Sequence, residues 1–139
     1  MFLVGFPLLI IPFVIYNMVA FLLPGIGWTQ DMARIHMMSG ADWTFTPGEL
    51  LVACSTVILF FEMLKATRLS TRTIIDHGLS TVIFIGMIVE FLLVKQAATG
   101  TFFLLLVISF VDVVGGFTIT IRTAQRDVTI EGNERIQTT

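Results

Sequence analysis

The sequence predicts an all-α membrane protein: a bundle of four transmembrane helices, with both termini cytoplasmic and a short interfacial helix in the first external loop. Composition is the first reason. The chain has 139 residues, of which 55% are hydrophobic and 13% charged, whereas soluble proteins use roughly 25% charged residues. The second reason is the presence of four apolar runs of about 20 residues, the length that a helix needs to cross a hydrocarbon core. Backbone amides in lipid must be bonded within such a segment, which favours helices.

The first predicted span covers residues 2–23 and contains no charged residue. It is longer than the roughly 7–15 apolar residues of a signal peptide, and no basic residue precedes it. We therefore interpret it as a retained transmembrane helix. Pro7 and Pro12 are expected to kink it, and Pro24 with Gly25 to end it.

The second span is predicted over about 47–64. Thr46, Pro47 and Glu49 form a helix-start signature, with a hydroxyl cap, a proline in the first turn and an acid three residues after the cap. The same spacing of Thr73 and Asp76 predicts the start of a third span over about 74–94.

The fourth span is predicted over about 101–121. Because only six residues, 95–100, separate it from the third span, the two helices are expected to be antiparallel neighbours. Residues 1–121 would thus form one transmembrane domain, and 122–139 a short polar cytoplasmic tail that continues the helix by a turn or two.

The first external loop contains apolar residues at helical spacing. Met32, Ile35 and Met38 share a helical face, between a possible cap at Thr29 and a possible stop at Gly40. This pattern predicts a short helix lying on the membrane surface.

Basic residues are distributed unevenly about the four predicted spans. Cytoplasmic loops of membrane proteins are enriched in lysine and arginine. We therefore place both termini in the cytoplasm, with a bacterial inner membrane as the default location. The link between spans two and three and the tail carry Lys65, Arg68, Arg72, Arg122, Arg126 and Arg135; the opposite side carries Arg34 and Lys95.

Three carboxylates lie inside the predicted spans: Glu62, Glu90 and Asp112. A charge at the bilayer centre costs between about 3 and more than about 10 kcal/mol. No basic residue is predicted at the depth of Asp112, so desolvation favours its neutral form. Such residues are candidates for a proton or cation path, and Ser109 is a candidate relay.

The candidate acids share helix faces with small or hydroxylic residues. Ser109, Asp112 and Gly116 fall on one face of the fourth span. Because small residues permit close helix approach and polar ones bond across it, we expect these faces to converge. Residues predicted to pack helices together are Asn17, Ser55, Gly86, Gly115 and Gly116.

Structural roles for the same acids are also compatible with the sequence. Each could be a neutral interhelical hydrogen-bonding group, and Glu62 could simply pair with Lys65, three residues away. Glu90 and Asp112 are predicted about 10 Å apart in depth, too far to share a proton directly.

Several functional classes lack support in the sequence. The single cysteine, Cys54, excludes an intramolecular disulfide, and no basic cluster indicates nucleic-acid binding. No metal site, cofactor site or catalytic set is recognised; an enzyme would have to use Asp76 and His77 near an interface.

The favoured interpretation is an accessory or structural subunit of a membrane complex. The alternative is an oligomeric proton- or cation-linked transporter or channel that uses the intramembrane carboxylates. In either case the expected partners are the lipid bilayer and further copies of the chain or a larger membrane-protein complex.

Overall fold

The computed structural model describes residues 6–68 and 70–137 and is mostly helical. Three helices are long and apolar enough to cross a membrane, and a fourth apolar helix is shorter. In chain order the elements are α1 (Ile10–Leu22), β1 (Ala33–His36), β2 (Asp42–Phe45), α2 (Pro47–Ala66), α3 (Thr71–Leu93), a 3-10 turn (Lys95–Ala97) and α4 (Gly100–Gln137).

Helix α1 is shorter than the predicted first span. Residues 6–9 are not helical, and residues 2–5 of the predicted span lie outside the described chain. The 13 residues of α1 extend about 20 Å, less than a hydrocarbon core of about 30 Å. Pro7 has no N–H and disfavours helical geometry at Phe6, whereas Pro12 falls in the first turn, where no N–H is needed.

Helix α2 begins at the predicted residue. The Thr46 hydroxyl accepts a hydrogen bond from the Glu49 N–H at 3.2 Å, and the Glu49 carboxylate accepts one from the Thr46 N–H at 2.9 Å. These reciprocal bonds satisfy two donors that the first turn of a helix leaves free.

Helix α3 begins earlier than predicted, because Ser70 and not Thr73 is its cap. The Ser70 hydroxyl accepts a hydrogen bond from the Thr73 N–H at 3.2 Å. Asp76 is therefore in the second turn, where it is buried in the bundle.

The prediction of an interfacial helix in the first external loop is wrong, because β1 and β2 form an antiparallel hairpin there. Ile35 pairs with Trp43, and His36 Nδ1 lies 2.7 Å from Asp42 Oδ1 across the strands. Gly40 has a φ of +84° in the connecting turn, a conformation that glycine adopts at little cost. The cross-strand pairs and this turn outweigh the helical spacing of the apolar residues.

Helix α4 is the central element and packs against both α2 and α3. It runs parallel to α2, since Gly48 meets Thr101 and Met63 meets Gly115. It runs antiparallel to α3, as ring contacts between Phe84 and Phe110 and between Phe91 and Phe102 indicate. Its 38 residues extend about 57 Å, so the helix continues through 122–137, well beyond the turn or two that was predicted.

The bundle has two ends, which we name by their connections. The hairpin end carries β1, β2 and the 3-10 turn; the link end carries the α2–α3 connection. Helix α1 is antiparallel to α2, because Leu8 bonds to Glu62 near the link end, while the Tyr16 hydroxyl donates to the Gln96 carbonyl at 2.8 Å nearer the hairpin end.

The two halves of the interior differ in chemistry. Towards the hairpin end lies an apolar core in which Tyr16 also packs edge-on against Phe102, with ring centroids 4.9 Å apart. The buried residues of this apolar core are Tyr16, Leu51, Met87, Ala97, Phe102 and Leu105. Towards the link end the interior is polar.

Candidate functional site

Among the polar side chains in the interior at the link end are six from three neighbouring helices, which we name the buried polar cluster. Their exposed fractions are 4% or less, except for the Lys65 side chain at 16%. Three helices contribute: Glu62 and Lys65 from α2, Asp76, His77 and Ser80 from α3, and Asp112 from α4.

Lys65 links three parts of the chain through its ammonium group. Its Nζ lies 2.7 Å from Asp76 Oδ2, 3.0 Å from Glu62 Oε2 and 2.8 Å from the Phe6 carbonyl oxygen. An ammonium group has three N–H donors, so Lys65 is fully engaged. It joins α2 to α3 and to the segment before α1.

Glu62 has both carboxylate oxygens bonded. One accepts from Lys65, as the sequence allowed, and the other accepts the backbone N–H of Leu8. Glu62 therefore combines an ion pair with a tie to the N-terminal segment.

His77 packs directly on α4 at Gly116. A Cβ at position 116 would overlap the imidazole ring, whose centroid lies 5.6 Å from that of Phe117. Glycine at 116 thus permits the close approach of α3 to α4. His77 Nε2 is buried and has no hydrogen-bond partner in the part of the chain that the structure describes.

Asp112 is the most isolated acid of the cluster. It is 1% exposed and faces Ser80 and, farther off, Asp76 and Lys65. Neither carboxyl oxygen has a hydrogen-bond partner within residues 6–68 and 70–137, and the same holds for Asp76 Oδ1. The Ser80 hydroxyl faces the Asp112 carboxyl but does not reach hydrogen-bond geometry, and a buried ionised carboxylate without a formed hydrogen bond is strongly disfavoured, so this geometry suits a neutral acid or one bonded to water.

The charges of the cluster do not balance. Lys65 provides one positive charge against the three carboxyl groups of Glu62, Asp76 and Asp112. If all were ionised, two negative charges would be left without a counter-charge in a buried site. The cluster therefore contains more acidic groups than its one lysine can neutralise.

Glu90 lies apart from the other two predicted acids. Its Oε2 accepts from Asn17 Nδ2 at 3.4 Å, and its Oε1 is buried without a partner among the described residues. Ser80, opposite Asp112, precedes Glu90 by about 15 Å along α3, and buried Met87 lies between them. Glu62 and Asp112 belong to the same cluster, in which Lys65 and Asp76 lie near both, whereas Glu90 lies beside Tyr16 of the apolar core.

The remaining predicted residues occupy buried or packed positions, with one exception. Ser109 is 3% exposed, and Ser55 is buried with its hydroxyl donating to the Leu51 carbonyl at 2.6 Å. Gly115 contacts Met63, where an added Cβ would lie 2.7 Å from Cε. An added Cβ at Gly86 would meet no atom of the described chain, so its packing role stays a prediction.

Four cluster members were not among the predicted site residues: Lys65, Asp76, His77 and Ser80. Asp76, His77 and Ser80 have helical spacing, which could have indicated a polar face. The misplaced cap at Thr73 instead put Asp76 and His77 at a helix terminus near the headgroups. Among the described residues, no group of three or more His, Cys, Asp or Glu side chains is arranged to hold a metal ion.

Comparison of the chain with protein-family models, with curated proteins and with solved structures gives no match.

Proposed function

We propose that the protein crosses a membrane four times and that its buried polar cluster binds and releases a proton, as the site of proton-linked transport. The observation that carries this proposal is the Asp112 carboxyl, buried in a three-helix interior with both oxygens unpartnered among the described residues. Ionisable residues kept inside transmembrane segments are expensive and mark proton or ion paths.

Membrane insertion is supported by the outward direction of the apolar residues. Only 22% of the most apolar window of α2 and of α3, and 28% of that of α4, is buried. Large side chains such as Phe60, Val82 and Leu92 are 60%, 65% and 72% exposed. In water a continuous apolar surface of this kind would drive association; in a bilayer it faces lipid chains.

The first crossing is assigned to α1 together with residues 7–9, which precede it. Lys65 belongs to the buried polar cluster and is not available to headgroups, so the argument on sidedness rests on arginines. Arg68, Arg72, Arg122 and Arg126 lie at or beyond the link end, as does the backbone of residue 135. The link end and both termini are therefore assigned to the cytoplasmic side of a bacterial inner membrane.

The arrangement supports proton exchange from the cytoplasmic side. Protons would reach Asp112 through water and the unpartnered atoms of Asp76 and His77, on the adjoining turns of α3. The apolar core closes the path towards the hairpin end, and Glu90 and Asn17 form a second polar pair beside that core. Passage across the membrane then requires an opening of the apolar core, which an oligomer or a second conformation would provide.

Substitution of Asp112 tests the transport proposal directly. Asp112→Asn keeps the shape and the hydrogen-bonding capacity of a neutral acid but cannot exchange a proton. We expect it to abolish proton flux into liposomes with assembly intact, whereas Glu131→Gln, at an exposed position of α4, should leave flux unchanged. Undiminished flux in Asp112→Asn would contradict the proposal, as would the absence of flux in the unaltered protein.

The predicted accessory role remains a second proposal, supported by the long end of α4. Residues 122–137 extend past the bundle, and Val128 and Ile130 are 71% and 59% exposed. A stoichiometric second protein in native mass spectrometry after gentle purification would favour this role; a homo-oligomer would favour transport.

A further inference from the structure

The non-helical segment 6–9 covers the buried polar cluster at the link end. The Pro7 side chain is fully buried and Leu9 is 6% exposed, although the segment has no helical hydrogen-bond ladder of its own. Burial of a proline in a short irregular segment means that the segment is held against the bundle.

Two hydrogen bonds between this segment and α2 involve ionisable side chains. The Phe6 carbonyl accepts from Lys65 Nζ at 2.8 Å, and the Leu8 N–H donates to Glu62. The position of the segment therefore depends on where the Lys65 ammonium group lies and on the charge of Glu62.

We propose that segment 6–9 is a lid over the buried polar cluster. The hydrogen bond from Lys65 to the Phe6 carbonyl holds this lid closed, and it breaks when Asp112 loses its proton. The lid rests on the proposed function, since it controls how the proton site communicates with the cytoplasmic side. In the closed state the three Lys65 donors are occupied by Asp76, Glu62 and the Phe6 carbonyl.

The breaking of this hydrogen bond follows from a competition between acceptors. The Lys65 ammonium group is attracted to an anionic carboxylate by the full charge of that group, but to the Phe6 carbonyl only by a dipole, so the carboxylate is the stronger acceptor. When Asp112 becomes an anion, it competes for the Lys65 donor that Phe6 holds, because the other two donors already bind carboxylates. The neutral acid offers no such competition, so the lid stays shut while the proton is bound.

Within residues 6–68 and 70–137, the charged and titratable groups that face Lys65 are Glu62 on α2, Asp76 and His77 on α3, and Asp112 on α4. The lid itself contributes only backbone groups to the two bonds. Asp112 differs from Glu62 and Asp76 in having no bond to Lys65 in the closed state, so its ionisation adds a new acceptor.

Cysteine accessibility from the link end tests the lid without requiring transport. In a Cys54→Ser background, Ser80→Cys reports on the cluster and Ser55→Cys reports on an equally buried site nearer the hairpin end. Each cysteine is labelled with a small water-soluble methanethiosulfonate in inside-out vesicles. Because the reagent reacts with the thiolate, the labelling rate of any cysteine rises with pH. The Ser80→Cys rate is therefore divided by the Ser55→Cys rate at each pH.

We expect this ratio to rise by about tenfold or more from acid to alkaline pH, the change expected from the loss of one charge-assisted hydrogen bond. Adding Asp112→Asn or Lys65→Gln should make the ratio independent of pH. A ratio that does not change with pH in the parent protein, or one that still rises in Asp112→Asn, would overturn the lid. Equal acceleration at both cysteines would indicate general loosening and would also count against it.

The two proposals can fail separately. A pH-dependent labelling ratio without proton flux would support the lid and refute proton-linked transport. Proton flux with a labelling ratio that is independent of pH would support transport and refute the lid.

Discussion

Lys65 joins three parts of the helical bundle through one buried ammonium group. Helices α2 and α3 touch each other little, since both pack mainly on α4, yet the Lys65–Asp76 pair joins them at 2.7 Å. Such a pair is not strongly stabilising in itself, because both charges lose their hydration. Removing one partner is a different matter, since it leaves the other charge buried and alone.

Lys65→Met should therefore destabilise the protein by about 3–5 kcal/mol, the cost of an uncompensated buried charge. Adding Asp76→Asn should recover a substantial part of this loss, because the orphaned carboxylate is then neutral. Chemical unfolding in detergent of the single and double variants measures the coupling. Lys95→Met, at an exposed lysine of the 3-10 turn, is the control and should be near neutral; additive effects of the cluster substitutions would contradict the role of the pair.

The sequence identifies some members of the cluster and not others, for a physical reason. Glu62 and Asp112 stand out because each is a charge within an apolar run. Asp76 and His77 lie at the edge of such a run, where an interfacial position is equally compatible with the sequence. Their burial depends on the Ser70 cap and on Gly116 opposite His77, and the second of these is a contact between distant parts of the chain.

At the scale of elements, glycines of α3 and α4 have unequal roles. Gly116→Ala would push a methyl group into the His77 ring, and overpacking of this kind costs about 1–3 kcal/mol. Gly86→Ala meets open space, so its higher helix propensity should stabilise α3 by up to about 1 kcal/mol. Thermal unfolding in detergent compares the two variants. A loss at Gly86 as large as that at Gly116 would mean that another chain covers this face of α3.

The elements differ in how far local sequence determines them. Helix α2 carries its own capping box and long apolar run, so its start is predicted to the residue. The hairpin depends on pairs between distant positions, such as Ile35 with Trp43, and on a positive φ at Gly40. The helical spacing of Met32, Ile35 and Met38 gives no information on those pairs, which is why the first loop was predicted incorrectly.

At the scale of the whole molecule, the bundle separates a polar interior from an apolar one along its axis. The buried polar cluster lies towards the link end, and the stacked rings of Tyr16 and Trp28, 4.5 Å apart, lie towards the hairpin end. In proton transport, protons would bind in the polar half of the bundle, and the apolar half would block their passage. The end that faces the cytoplasm determines the side of the membrane from which protons reach the cluster.

Labelling with a membrane-impermeant maleimide decides both the orientation and the number of crossings. In a Cys54→Ser background, single cysteines replace three exposed residues: Phe6 before α1, Ser39 in the hairpin turn and Gln125 on α4. Four spans with cytoplasmic termini predict that only Ser39→Cys reacts in intact cells. Phe6→Cys and Gln125→Cys should react only after permeabilisation.

Each alternative topology gives a different labelling pattern. If the short helix α1 does not cross the membrane, Phe6→Cys reacts from outside together with Ser39→Cys, and three spans remain. If the orientation is reversed, Ser39→Cys is protected and the other two react in intact cells. In that case the buried polar cluster faces the outside, and segment 6–9 would control the entry of protons from there.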